Sequence, residues 1–244
     1  MKPFLILQLR PETEASDDEF EAFLRKGGLP ESRTRRIRLD QEPIPADLDL
    51  RSYAGVIVGG GPGCVSDPDE QKTGVERRIE CEALGLMPDI TAADFPFLGC
   101  CYGIGILAHH LGAKVTKDRY SEPIGSVEVH RTHEGRTDPL LKDLPDAFRA
   151  FVGHKEAVQS LPEGCVNLLW SSPCPHQMIR YKSNVYATQF HPEADSDVFA
   201  VRINVYKNSG YFPPEDAERL IALCRDEVVD VPERILRNFV NRYR

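Results

Sequence analysis

Residues 95–103 read FPFLGCCYG, an apolar run that ends in a glycine-rich turn, and the apolar stretch at residues 104–111 follows directly. This order predicts a buried β-strand that turns sharply into an α-helix. Gly99, Cys101 and Gly103 fit the pattern G-x-C-x-G, the cysteine version of the nucleophile elbow described for serine hydrolases. The turn is so tight that a side chain two residues before or after the nucleophile is expected to strike backbone, which explains both glycines.

Cys101 is therefore a candidate nucleophile, whereas Cys100 lacks the second glycine and is predicted to point into the sheet. At a helix N-terminus, unpaired N–H groups favour the thiolate and are expected to lower the pKa of Cys101. Two other interpretations stay open. The first is that Cys101 is simply a buried small hydrophobic residue, as free cysteines often are. Gly103, Gly105 and Ala108 also fit the dinucleotide-binding pattern G-x-G-x-x-A, but that pattern is typical of the first βα unit and this one follows an apparent fourth strand.

Three earlier apolar runs, bounded by Gly, Pro or Asp, predict further strands at residues 4–9, 37–39 and 53–58. Polar segments with helical spacing lie between the first and second runs, at residues 17–26, and between the third run and the run at residues 95–100, at residues 69–86. Strands that alternate with helices predict an α/β fold: an open, mostly parallel sheet with helices on both faces.

From residue 121 onward the chain changes to short strands bounded by turns, which favours antiparallel pairing. The segments at residues 178–181 and 185–190 are predicted to pair as a hairpin. A final helix is predicted to start at Pro232, with Ile235 and Phe239 on one apolar face. No linker or repeat interrupts the chain, so residues 1–244 are predicted to form a single domain.

Composition excludes several classes of protein. The 244 residues are 41% hydrophobic and 28% charged, which is typical of a folded soluble chain rather than a disordered or fibrous one. The formal net charge of -8 argues against nucleic-acid and anionic-membrane partners and favours a small-molecule substrate. The seven cysteines are an odd number without C-x-x-C spacing, and no signal peptide or spanning segment is visible, so we expect reduced thiols in the cytoplasm.

The candidate general base lies in residues 189–193, QFHPE, at the end of an apparent strand. Residues two apart in extended chain point to the same side, so Glu193 is placed to orient the His191 imidazole as in a Cys-His-acid triad. The alternative is that His191 merely ends a strand and Glu193 is solvated. The remaining histidines form no metal-like pattern with cysteine, and we predict no metal and no cofactor.

A glycine-rich loop, GGGPG at residues 59–63, follows the strand that ends near Val58. Bare backbone N–H groups in such a loop can stabilise an oxyanion, although a flexible turn is the simpler interpretation. Adjacent parallel strands ending in this loop and in the cysteine turn would bring both to one crevice.

Four motifs occur in order: GGGPG, FLGCCYG, GHKEAV at residues 153–158 and ATQFHPE at residues 187–193. Over about residues 50–195, with a helical segment at about 195–244 beyond, the chain resembles the class I glutamine amidotransferases, in particular the amidotransferase domain of GMP synthase and its stand-alone relatives. The resemblance implies an open flavodoxin-like α/β sheet with a small antiparallel annex. It also implies that Cys101 is the nucleophile, that His191 is the base and that Glu193 is the acid that orients it. The N–H groups of Gly61 and Tyr102 are the implied oxyanion hole.

The activity that the resemblance implies is hydrolysis of the glutamine side-chain amide to glutamate and ammonia through a Cys101 thioester. A γ-glutamyl peptide hydrolase and a non-catalytic glutamine-binding regulatory protein are the alternatives. The family commonly has Gln four residues after the nucleophile to hold the substrate, and here Gly105 occupies that position. No G-x-x-x-x-G-K-[ST] motif for ATP occurs, so an ammonia-accepting synthetase is a possible separate partner.

Overall fold

The computed structural model describes residues 1–244. The strands are β1 (Phe4–Gln8), β2 (Thr34–Arg38), β3 (Gly55–Val58), β4 (Phe97–Cys100), β5 (Val115–Thr116), β6 (Glu122–Arg131), β7 (Ala147–His154), β8 (Ala157–Val158), β9 (Cys165–Ser171), β10 (Met178–Tyr181) and β11 (Val185–Thr188). The α-helices are α1 (Thr13–Gly27), α2 (Gly74–Ala93), α3 (Tyr102–His110), α4 (Ser196–Tyr206), α5 (Ala217–Arg225) and α6 (Pro232–Tyr243). None of these helices combines the length and apolar character needed to cross a membrane.

Nine of the strands form one sheet in the order β2-β1-β3-β4-β11-β10-β9-β6-β7. The five strands from β2 to β11 are parallel, and the neighbours from β11 to β7 pair antiparallel. The predicted α/β fold class is confirmed. One detail differs, because the long antiparallel strands continue the main sheet and only β5 and β8 form a separate two-stranded sheet.

Helices cover both faces of the sheet, as predicted. Along β1, Phe4 and Ile6 belong to one apolar cluster, whereas Leu5 and Leu7 belong to the other. This division follows from the two-residue period of a strand. Helices α1 and α6 supply apolar side chains to the first cluster, and α2 and α3 supply them to the second.

One predicted helix begins later than expected, and one observed strand was not predicted. Helix α2 begins at Gly74 instead of residue 69, because the Thr73 side chain and Glu76 form a capping box that fixes the first turn. Val75 consequently lies in that exposed turn, 38% accessible, and not on the buried face. Strand β7 was not predicted at all.

Parallel pairing sets the position of the candidate site. β4 lies between β3 and β11, so the carboxyl ends of the three strands meet at one edge of the sheet. The glycine loop at residues 59–63, the cysteine turn and residues 189–193 follow these three ends. This edge is where ligands bind in open α/β sheets.

Candidate active site

Cys101 occupies a strained turn between β4 and α3. Its backbone has φ 53° and ψ -95°, a region that residues with side chains rarely adopt. A Cβ on Gly99 would lie 2.8 Å from the carbonyl oxygen of Gly103, which confirms that position 99 requires glycine. A Cβ on Gly103 would meet nothing closer than the carbonyl oxygen of Val58 at 3.5 Å, an ordinary contact, so the predicted steric need for the second glycine is wrong.

The two adjacent cysteines point in different directions. Cys100 is fully buried in the same apolar cluster as Leu98 and Phe190, which confirms the predicted orientation into the core. Cys101 is 8% exposed and lines two cavities at the edge of the sheet. Of the two thiols, only that of Cys101 is therefore placed to meet a substrate.

Burial raises the pKa of Cys101 to about 12, and the positive charge of Arg10 acts in the opposite direction. The prediction that the helix N-terminus gives this thiol a lowered pKa is therefore wrong, because loss of solvation outweighs the favourable charges. The thiol is protonated at neutral pH and needs a base.

His191 and Glu193 form a buried pair just after β11. Nδ1 of His191 lies 2.9 Å from Oε1 of Glu193, and the two side chains are 4% and 0% exposed. The same carboxylate oxygen accepts a hydrogen bond of 2.7 Å from Nη2 of Arg202. The predicted contact between His191 and Glu193 is confirmed, although the strand ends two residues earlier than expected, at Thr188.

Burial lowers the pKa of His191, with Glu193 acting to raise it. Burial alone would raise the pKa of Glu193, but the charges and hydrogen bonds of His191 and Arg202 hold it well below its usual range. The imidazole is therefore neutral beside an ionised carboxylate. Since Nδ1 donates to that carboxylate, Nε2 is left as the proton acceptor.

The glycine loop brings the unpaired N–H of Gly61 to this edge. Gly60 donates its N–H to Oε1 of Glu19 at 3.1 Å, whereas the N–H of Gly61 makes no hydrogen bond. Tyr102 is the first residue of α3, where an N–H has no partner within the helix. Gly61 and Tyr102 line a cavity together with Cys101.

Two cavities meet at Cys101. The first cavity has among its lining residues Gly61, Cys101, Tyr102, Gly105, Glu156 and Gln189. The second cavity has among its lining residues Arg10, Cys101, Ile124, His191, Phe199 and Tyr211. The thiol and the imidazole both line the second cavity but do not hydrogen-bond to each other.

The space beside Gly105 is not empty. A Cβ on Gly105 would lie 2.9 Å from Oε1 of Glu156, a side chain that also lines the first cavity. The Glu156 carboxylate accepts hydrogen bonds from the N–H groups of Val65, at 3.0 Å, and Ser66, at 2.9 Å. Glu156 therefore fills part of the space beside Gly105 with an anchored carboxylate.

Three buried charged residues of the site were not predicted from the sequence. Nε of Arg10 pairs with Oε1 of Glu19 at 2.8 Å, and Arg202 lies 3.6 Å from the same oxygen. Glu19 thus contacts both arginines and the N–H of Gly60. The available signal was the position of Arg10 just after β1, whose carboxyl end lies beside that of β3.

A further buried cluster, also missed from the sequence, lies on the antiparallel strands. Ligand atoms of Glu122, His154 and Cys174 lie within 4.8 Å of one another. Both ring nitrogens of His154 are already engaged, Nδ1 with the carbonyl oxygen of Glu156 at 2.8 Å and Nε2 with the Glu122 carboxylate at 2.7 Å. Gln177 also donates to that carboxylate, so the cluster is a hydrogen-bonded network that fixes Glu156 beside the first cavity.

Known proteins of one family are similar to this chain in sequence. The sequence profile of the family "Glutamine amidotransferase class-I" matches residues 30–204. The GMP synthase (glutamine-hydrolyzing) of Bacillus pumilus is 34% identical over 170 residues, which are 66% of this chain and 30% of that protein. The corresponding enzyme of Thermosipho africanus is 32% identical over 152 residues, 62% of this chain and 26% of that protein.

The chain spans between a quarter and a third of the length of these curated relatives. A solved structure of a glutamine amidotransferase from Thermotoga maritima superposes with a TM-score of 0.76, at 22% identity, over 100% of this chain and 98% of that one. At that identity the similarity shows the fold, which is shared along the whole chain.

Proposed function

The chain belongs to the class I glutamine amidotransferases, and from this premise we propose that it hydrolyses the side-chain amide of glutamine or a close γ-glutamyl compound through a thioester on Cys101. One observation carries the proposal: Cys101, held at a strained elbow, lines the same cavity as the buried His191, which is hydrogen-bonded to Glu193. A thiol, a neutral imidazole and an ionised carboxylate in this order are the components of nucleophilic acyl transfer.

The reaction proceeds in two stages. Nε2 of His191 takes the thiol proton while Sγ of Cys101 attacks the γ-carbonyl carbon, and the N–H groups of Gly61 and Tyr102 stabilise the oxyanion. His191 then donates its proton to the leaving nitrogen, the C–N bond breaks and ammonia departs. In the second stage His191 activates water, which hydrolyses the thioester to glutamate and restores the thiol.

The proton starts on sulfur because burial keeps the thiol pKa high and the imidazole pKa low. Thiolate and imidazolium then form together only when a substrate is present. Arg10, whose charge favours the Cys101 thiolate, supports that step.

Intact-mass spectrometry after incubation with glutamine tests the proposal. We expect a γ-glutamyl adduct on the protein and free glutamate in solution, both absent from Cys101→Ala. Cys100→Ala is the matched control, and it retains the adduct and most of the turnover because Cys100 lies in the core. Equal loss in the two variants, or turnover by Cys101→Ala, contradicts the assignment.

A γ-glutamyl peptide hydrolase is the second candidate. It is favoured by Gly105, where the family commonly has Gln, and by the presence of a cavity on the His191 side that ammonia alone would not fill. A non-catalytic glutamine-binding protein would bind glutamine and form no adduct, so the same experiment distinguishes it.

The partner and the location are further parts of the proposal. The curated relatives are GMP synthases that hydrolyse glutamine, which supports an ammonia-accepting synthetase as the partner of this activity. All seven cysteines are free, which supports work in the reducing cytoplasm.

A further inference from the structure

The second cavity lies on one particular side of the nucleophile. Cys101 and Gly61 line both cavities, whereas Glu156 lines only the first and His191 only the second. In acyl transfer the imidazole must reach the leaving nitrogen in order to protonate it. The leaving group therefore departs on the His191 side, into the second cavity.

We propose that the second cavity is a leaving-group subsite that binds the carboxylate of an amino acid released from a γ-glutamyl amino-acid conjugate. The inference rests on the proposed function, since it assumes acyl transfer to Cys101, and it names the substrate class for that site. Arg10 is the residue that contacts the carboxylate.

Arg10 is a buried cation with one unused donor. It is 5% exposed, its Nε is bonded to Glu19 at 2.8 Å and its Nη1 to the hydroxyl of Tyr206 at 3.3 Å. Nη2 makes no hydrogen bond. A carboxylate is the acceptor that complements a guanidinium group best.

Nη2 of Arg10 lies close to both His191 and Cys101. A Cβ on Gly60 would lie 2.8 Å from Nη2 of Arg10, 2.6 Å from Cε1 of His191 and 3.5 Å from Cβ of Cys101. The guanidinium, the imidazole and the nucleophile thus surround a single point. A carboxylate one carbon away from the leaving nitrogen would lie within reach of Nη2 when that nitrogen is beside His191.

The second cavity also has an apolar part to its wall, beside the polar side chains of Arg202, Tyr206 and Tyr211. Ile124, Phe199 and Ile203 line it, and none of them offers a side-chain hydrogen bond. Such a wall suits an aliphatic side chain on the departing amino acid. Ammonia from glutamine would leave both this wall and Arg10 without a partner.

Atoms and charges balance with water as the one co-reactant. Sγ of Cys101 bonds to the carbonyl carbon of the γ-glutamyl group, the C–N bond to the amino acid breaks, and the thiol proton passes through His191 to the departing nitrogen. The amino acid is released with its carboxylate intact. Water then hydrolyses the thioester to glutamate and the free thiol.

The decisive test varies the substrate and keeps the wild-type protein. We would compare kcat/KM for γ-glutamyl-leucine, γ-glutamyl-leucinamide and glutamine. Only the carboxylate differs between the first two, and we expect at least a tenfold preference for γ-glutamyl-leucine over γ-glutamyl-leucinamide, with glutamine the poorest of the three. Equal values for the acid and the amide, or a preference for glutamine, overturn the subsite and leave the proposed function intact. Absence of both turnover and a Cys101 adduct with all three overturns the proposed function, and the subsite with it.

Variants then test the role of Arg10. The ratio of kcat/KM for γ-glutamyl-leucine to that for γ-glutamyl-leucinamide is independent of the fraction of folded enzyme. We expect Arg10→Gln to bring this ratio close to one and Arg10→Lys to keep most of it. A role confined to the thiolate would change both substrates equally and leave the ratio unaltered, which would overturn the assignment.

If Arg10→Gln fails to fold because Glu19 loses its partner, a pair of variants at the cavity wall replaces it. Ile124→Glu places a negative charge in the second cavity, and Ile124→Gln is the matched neutral control. We expect the ratio for the Glu variant to be at least fivefold below that for the Gln variant. Equal ratios overturn the proposal.

Discussion

At the scale of single residues, the carboxylate of Glu193 has a defined task. It accepts hydrogen bonds from Nδ1 of His191 and from Arg202, which fixes the tautomer of the imidazole. We expect Glu193→Gln to lower kcat by about 10⁴-fold with KM nearly unchanged, as carboxylate-to-amide changes do in triads. Steady-state kinetics with glutamine or a γ-glutamyl dipeptide measures this.

Asp195 provides the control, since it is the next carboxylate along the chain. Its Oδ1 accepts from the N–H of Val198 at 3.1 Å and caps α4, and its Oδ2 pairs with Arg25 at 2.8 Å. Asp195→Asn should therefore weaken the protein slightly and keep its activity. If Asp195→Asn were as inactive as Glu193→Gln, the assignment of the acid would be wrong.

The lowered pKa of His191 gives a pH dependence of known sign. Burial is the main cause, and the ordinary value is about 6.5. The acid limb of kcat/KM should therefore have its midpoint below about pH 6.5. In the unfolded chain the imidazole binds a proton at a higher pH than in the folded one. The contribution of His191 to the free energy of unfolding thus falls as pH drops from about 6.5 towards the folded pKa.

Two measurements check this prediction. A pH–rate profile gives the midpoint of the acid limb, and urea unfolding between about pH 5 and 8 gives the stability. Comparison with Glu193→Gln adds a second sign, because loss of the carboxylate removes a charge that raises the His191 pKa and should move the limb to still lower pH. An acid limb above the ordinary histidine value contradicts the neutral buried imidazole.

At the scale of elements, the turn between β4 and α3 distinguishes its two glycines. A Cβ on Gly99 would meet backbone atoms of Gly103 at 2.8 and 2.9 Å, and backbone cannot move aside as a flexible side chain can. A Cβ on Gly103 would meet only Val58, at 3.5 Å. We expect Gly99→Ala to lower the melting temperature and abolish turnover, whereas Gly103→Ala keeps most of both. Thermal melts and kinetics of the two variants would decide, and similar behaviour of the two would contradict the steric argument.

The sequence predicted those strands and helices whose own residues show a clear pattern of apolar spacing. Residues 178–181 form β10 with the predicted bounds, and α6 begins at Pro232 as expected. The predicted start of α2 was wrong because the capping box of Thr73 and Glu76 decides it, and this box begins at the fifth residue of the predicted helix. Periodicity locates an element, but its ends depend on a few side-chain hydrogen bonds.

At the scale of the whole molecule, residues of the site that lie in short motifs could be predicted from the sequence, and residues that the fold brings together could not. Cys101 and the pair of His191 and Glu193 stand in short motifs whose geometry is local, so residue spacing was sufficient. Arg10 reaches the site only because β1 lies beside β3 in the sheet. Glu156 fills the space beside Gly105, and the two residues are distant along the chain. Contacts of this kind depend on the order of strands, which motifs do not encode.

The C-terminal helix provides the last prediction, which also tests our proposal that residues 1–244 form one domain. In α6, Ile235 and Phe239 are fully buried, and the Phe239 ring lies 6.1 Å from that of Phe4 in β1. Phe239→Ala should cost about 3–5 kcal/mol of unfolding free energy, whereas Arg237→Ala, on the exposed side, should change it by less than about 0.5 kcal/mol.

Truncation before Pro232 removes four fully buried apolar side chains and should leave no cooperative unfolding transition. Urea unfolding and sedimentation check all three proteins. Unchanged stability with an altered oligomeric mass would mean that α6 instead covers a partner.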